Sequence, residues 1–162
     1  MKKNVLRVAM ASMLMFAMVS CSDDNDPIGM GTTTATAEQV VSAANDGRWR
    51  VNSLTTNEAD ETENFRNFKF TFLQSGAVEV TNSGTGEMYS GTWEVVDNDA
   101  DADDNSMSND IDFNLLMDSD APANFQGLDQ AWDVTSVDAT TISLKKDNAN
   151  GSGTSYLVFQ KA

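Results

Sequence analysis

Histidine is missing from this chain, cysteine occurs once and proline twice, and basic residues are scarce: 10 Lys and Arg stand against 25 Asp and Glu in 162 residues. Without His, the commonest general base, pH switch and zinc ligand is gone, and with it Ser–His and Cys–His nucleophile arrangements and His-based metal sites. The formal charge of −15 excludes a nucleic-acid partner, because phosphate binding rests on clustered Lys and Arg. No Walker or dinucleotide loop is present, since Gly84, Gly86 and Gly91 lie between expected strands and open no helix. The length suits one folded domain.

What the chain does have begins at its N-terminus. Lys2, Lys3 and Arg7 precede an apolar run over residues 8–19, the layout of a secretory signal, and the run is too short to span a bilayer. Met18, Val19, Ser20 and Cys21 follow, and they resemble the lipobox of bacterial lipoproteins. That resemblance implies cleavage before Cys21, a diacylglycerol on its thiol and an acyl chain such as palmitate on the new amino group. Several chains together anchor a protein that one chain would hold only marginally. Residues 1–20 are therefore expected to be a lipoprotein signal peptide. The remaining 142 residues carry a charge of −18, which no anionic membrane attracts, so attachment falls to the lipid.

Residues 21–36 read as a tether. Ser22, Asp23, Asp24, Asn25 and Asp26 resemble the acidic tag that directs certain Gram-negative lipoproteins to the outer face of the outer membrane, which implies a cell-surface location. The stretch 27–36 is rich in Gly and Thr without apolar periodicity.

Folding signals start at Thr36. Thr36 and Gln39 have capping-box spacing, Val40, Val41 and Ala44 share one helical face, and Gly47 is placed as a stop, so a short helix is predicted. The apolar period then changes to two: Trp49 and Val51; Phe68, Phe70 and Phe72; Val78 and Val80; Tyr89, Trp93 and Val95; Ile111, Phe113, Leu115 and Met117; Trp132 and Val134; Ile142 and Leu144; Leu157 and Phe159. One-sided strands joined by mostly short turns, with no helices between them, predict an antiparallel up-and-down barrel of eight strands over residues 37–162. Trp49, Phe68, Phe70, Phe72, Trp93, Phe113, Trp132 and Phe159 fall on the inward face, and their first duty is packing.

The pieces that carry a more specific likeness are Gly47, Arg48 and Trp49 after the helix, Gly91, Thr92 and Trp93 in the fourth strand, and Leu157 to Lys161 at the C-terminus. They are similar to the lipocalin-like domains of Gram-negative bacterial surface lipoproteins. The likeness implies a barrel whose closed end is plugged by Trp49. A Thr-Asp-Tyr signature is absent, and Lys161 is the only cation near the last strand that could replace the Arg usually covering the Trp.

Up-and-down topology groups the loops. Connections 55–64, 82–88, 118–131 and 147–153 share one mouth; the turn at Ser75 and Gly76, the acidic loop 97–109 and the turn at Asp138 lie at the other end. Phe125 and Leu128 have the spacing of a helical turn after Pro122, and they are the expected contacts for a small apolar or amphipathic ligand at the mouth; the alternative is that they fold back as core. Glu58, Asp60, Glu61 and Glu63 at the rim would repel anionic head groups. Asp97, Asp99, Asp101 and Asp103 partly match a calcium loop, but Ala102 replaces the turn Gly and Ser108 the bidentate Glu, so the candidate is weak calcium binding against a solvated loop, with no other cofactor expected.

Catalysis is not expected. Ser143 and Lys146 have Ser-x-x-Lys spacing, yet they fall at a strand end with Ser143 outward, whereas that motif works from a helix. Three functions remain: a surface-anchored barrel that binds a small molecule at its mouth, an interaction or inhibitor module with a filled barrel that engages an envelope protein, and, least expected, an enzyme, which needs two carboxylates converging in a cleft.

Overall fold

The structure is a computed structural model that describes residues 35–97, 111–148 and 153–162. Helix α1 (Ala37–Asn45) begins as the capping box demands: Gln39 N–H donates to Thr36 Oγ1 at 3.3 Å, and Thr36 N–H donates to Gln39 Oε1 at 3.0 Å. Val40 and Ala44 are its buried face. Gly47 follows with φ of 100°, a left-handed conformation that ends the helix and turns the chain into the first strand.

The strands are β1 (Trp49–Thr56), a two-residue β2 (Ala59–Asp60), β3 (Phe68–Phe72), β4 (Ala77–Asn82), β5 (Met88–Asp97), β6 (Ile111–Met117), β7 (Gln130–Val137), β8 (Thr141–Asp147) and β9 (Thr154–Lys161). Each pairs antiparallel with its neighbour, and β1 also pairs with β9, which closes the sheet. The fold is thus an all-β, up-and-down barrel of eight strands preceded by a short helix, with β2 folded back on the end of β1. It matches the lipocalin-like architecture expected from the sequence.

Alternation holds along the wall. Phe68, Phe70 and Phe72 are buried while Lys69 is exposed, and Ile111, Phe113, Leu115 and Met117 are buried in turn. Register shifts at Val51/Ser53 and Val134/Ser136 interrupt it. After the first, Leu54 replaces the expected odd-numbered residue on the inside. At Gly91 β5 and β6 approach so closely that a Cβ would collide with the Leu116 carbonyl and sit 2.9 Å from Met117 Cα, so no other residue fits there.

The barrel is filled. Phe72 meets Trp93, Phe113 and Phe159 at centroid distances of 5.3, 5.3 and 5.5 Å, and Phe70 meets Phe159 at 5.3 Å. Such contacts add to the burial that dominates core energetics. Every indole N–H is satisfied by a backbone carbonyl: Trp49 by Ala44 at 2.9 Å, Trp93 by Leu73 at 2.9 Å and Trp132 by Leu128 at 3.1 Å.

Candidate functional site

The two ends of the barrel differ in what closes them. At one end lie α1, the turn after β3, the turn after β7 and the C-terminus. Trp49 is fully buried here, as the sequence led one to expect, and its indole bonds the last turn of α1. Lys161, opposite Trp49 in the β1–β9 ladder, does not stand unpaired: its Nζ donates to Asp46 Oδ2 at 2.6 Å, and its stem lies where a Cβ on Gly47 would be, 3.1 Å from that position.

The opposite, loop-bearing end is the candidate site. The segments between β1 and β3, β4 and β5, β6 and β7, and β8 and β9 all reach it. Two 3₁₀ turns plug it, Thr62–Phe65 and Ala123–Gly127. Phe65 is fully buried, and its ring meets Phe125 edge-on at 5.4 Å; Phe125 in turn meets Phe68 at 4.9 Å and both Phe70 and Tyr89 at 6.0 Å.

This corrects the picture of Phe125 and Leu128 as side chains offered at an open mouth. They are 1% and 0% exposed. The turn after Pro122 folds inward because its carbonyl at Leu128 caps the Trp132 indole, and because Phe125 completes a five-ring cluster. A hollow of about 90 Å³ remains beside Phe125, bounded by Met117, Ala121 and Asp129, and Asp129 Oδ1 accepts from Met117 N–H at 2.7 Å. Pockets for drug-sized ligands run to about 300 Å³ or more, so this one suits a water or two.

One feature of this end escaped the sequence. The inward register positions of β8 and β9 nearest the mouth are Lys146 and Ser155, which face each other across the ladder, and Thr56 ends β1 next to them. Below them the same rows hold Leu54, Leu157 and Leu144. Lys146 Nζ donates to Ala131 O at 3.0 Å, where β7 and β8 have parted. Asn148 Nδ2 donates to Asn57 Oδ1 at 3.0 Å and to Ser155 Oγ at 3.2 Å, while Thr56 Oγ1 is buried without a partner. Reading Lys146 as a strand-end residue hides that it forms a polar lip with Ser155.

The electrostatics are those of a solvated acidic rim. Asp60 is held below the usual carboxylate range by hydrogen bonds from Thr62, one of them from its N–H at 2.9 Å. Asp147 is lowered by the Thr154 hydroxyl at 2.7 Å and by Lys145. Lys145 is raised by Asp147 first and Asp133 second. Desolvation and then Glu87 push the Tyr89 phenol up.

The remaining candidates are separated rather than gathered. Ser143 lies on the outer wall opposite Ser136 and Val158, whereas Lys146 is on the inward register, so the two do not form a dyad. Asp97 is the exposed last residue of β5, paired in register with Ile111; Asp99, Asp101, Asp103 and Cys21 lie outside the described residues. Among the described residues no three His, Cys, Asp or Glu side chains converge to hold a metal ion, and no helix is long and apolar enough to cross a membrane.

The fold and its plugged end define a filled antiparallel barrel with an acidic loop end. No protein-family model matches the chain, and no curated protein is similar to it.

Proposed function

We propose that this chain is a lipid-anchored protein of the Gram-negative outer membrane, exposed at the cell surface, whose filled barrel is a scaffold that presents its loop end to a protein partner. One observation carries the reading: Phe65, Phe125 and Leu128 occupy the mouth where a small molecule would sit, so recognition falls to the outside of the loops. Functional contacts on loops held by a rigid scaffold are the common arrangement. The lipobox-like 18–21 segment supports anchoring at Cys21. The barrel strands follow directly on α1, at the end opposite these loops.

The rim sets the partner's chemistry. Glu58, Asp60, Glu63, Glu87, Asp118 and Asp120 are exposed there, and Arg66 is already paired with Glu63 at 2.8 Å. A basic protein surface is complementary to such a rim and would be steered toward it. Reversing Asp118 and Asp120 to Lys should shrink the complex that the protein forms in gently solubilised membranes, whereas reversing Glu79 and Glu94 on the outer wall should not. Equal behaviour of the two double variants would remove the loop end from the reading.

A second reading, a small apolar ligand at the same end, is favoured by one feature: the wall beside the ring cluster is thin. The β1–β3 seam has a single paired position, Trp49 with Phe70, where each of the other barrel seams has at least four.

A further inference from the structure

Resting on that second reading, we propose that residues 57–67 form a latch over an aromatic subsite, that the latch opens sideways through the β1–β3 seam, and that a small neutral aromatic molecule takes the place of the Phe65 ring. The seam is short because the latch takes its place. Where β3 would continue beside β1, Glu61 N–H donates to Leu54 O at 2.8 Å and Thr62 Oγ1 accepts from Leu54 N–H at 2.9 Å. The edge of β1 is thus satisfied by two pairs with β2, Thr55 with Asp60 and Thr56 with Ala59, by one backbone bond and by one hydroxyl, all from a segment that can leave without unpairing the eight barrel strands from one another.

The latch is set in tension at its hinge. Asn57 and Glu58 link β1 to β2 as the two central residues of a tight hairpin, and both have positive φ, 50° and 67°. Asn and Gly are at home in such a turn; Glu is not. A Glu at that position weakens the closed state without touching the interior. At the other side Asn124 Nδ2, donating to Asn64 O at 3.3 Å, and the Phe65–Phe125 ring contact tie the latch to the neighbouring plug, while Asn57 Oδ1 accepts from Asn148 Nδ2 at 3.0 Å and Asn67 O from Ser83 N–H at 2.7 Å.

What the latch covers is chemically distinct from the rest of the core. Removing Phe65 leaves the two rings it meets, Phe68 at 6.5 Å and Phe125 at 5.4 Å, facing the vacancy, with Tyr89 packed behind them at 6.2 and 6.0 Å. The site therefore fits a flat aromatic ring packed edge-on, as Phe65 packs on Phe125. Glu58, Asp60, Glu61 and Glu63 travel with the latch, so an anionic version of the same ring is disfavoured.

The test uses the full chain carrying Cys21→Ser, so that no membrane competes for the probe, and titrates it with neutral N-phenylnaphthylamine and with its sulfonated counterpart anilinonaphthalenesulfonate, followed by fluorescence. The neutral probe should bind at one saturable site and the sulfonate several-fold more weakly. Thr62→Val, which removes the hydroxyl that holds Leu54 N–H, should raise affinity about fivefold, because one lost hydrogen bond favours the open state by that factor. Glu58→Gly, which relaxes the hinge, should lower it; near-ultraviolet circular dichroism checks that each variant keeps its packed tryptophans. Should Thr62→Val fail to fold, Glu58→Gly alone decides. Saturable binding that neither variant moves would overturn the latch and leave a small-molecule site standing, whereas no saturable binding in any form would overturn the small-molecule reading and the latch with it.

Discussion

Trp49 Nε1 donates to the carbonyl of Ala44 at 2.9 Å, and this bond joins the first residue of the barrel to the last turn of the helix that caps it. Both partners are fully buried, so neither can turn to water. Trp49→Phe keeps most of the apolar volume and orphans the Ala44 carbonyl, which should cost about 1 to 3 kcal/mol. Trp49→Ala removes the ring as well and should cost about 3 to 5 kcal/mol. Urea unfolding followed by circular dichroism separates the two, and a cost near zero for Trp49→Phe would mean that the indole bond contributes nothing.

The plug at the other end makes a parallel prediction. Phe125→Ala should destabilise the barrel by about 3 to 5 kcal/mol and Leu128→Ala by about 2 to 5 kcal/mol, because both vacate packed interior. Side chains lining an open mouth would change by less than about 0.5 kcal/mol, as surface substitutions do. Thermal unfolding of the two variants distinguishes these outcomes.

Much of this was legible in the chain and some was not. Phe68, Phe70 and Phe72 alternating with Lys69 and Thr71 declare a strand with one buried face, and the grouping of loops at two ends follows from up-and-down topology. The direction of Phe65 and Phe125 does not follow, because each sits on a turn of one 3₁₀ helix, too short for any period to show which way it faces. The slip at Val51/Ser53 was equally hidden: nothing in the residues marks a bulge, yet it moves Leu54 to the inside. The polar lip of Lys146 and Ser155 escaped because polar residues at strand ends read as solvent-facing.

Stability should fall at both extremes of pH, for reasons of opposite sign. Asp60, Asp138 and Asp147 have folded pKa values below the ordinary aspartate value of 3.8, so their contribution is present above 3.8 and is lost as pH falls through the lower folded values. Lys145 and Tyr89 are raised above 10.5 and 10.0, so theirs is fully present below those values and is lost as pH rises through the folded ones. The difference in unfolding free energy between the protein and Asp147→Asn, measured from pH 3 to 6, should therefore shrink toward the acid end. A difference that stays constant over that range would show that the Thr154 hydroxyl and Lys145 do not hold Asp147 below its ordinary value.

Anchoring is tested at one atom. Cys21→Ser should leave an uncleaved precursor or release the protein from the membrane fraction, and mass analysis of the unaltered protein should find an acylated Cys21 as the first residue. Cleavage elsewhere with a free thiol would end the lipoprotein account.

The most direct measurement is a crosslinking map in living cells. A photo-reactive residue is placed singly at Glu63, Glu87 and Asp120 on the loop end, at Glu38 and Gln74 beside α1, and at Glu79 and Glu94 on the wall. The account predicts that the loop-end positions join the protein to one common partner, that the helix-end and wall positions do not, and that the adduct disappears when Asp118 and Asp120 are reversed to Lys. Adducts formed equally from all three regions, or none from the loop end, would contradict it.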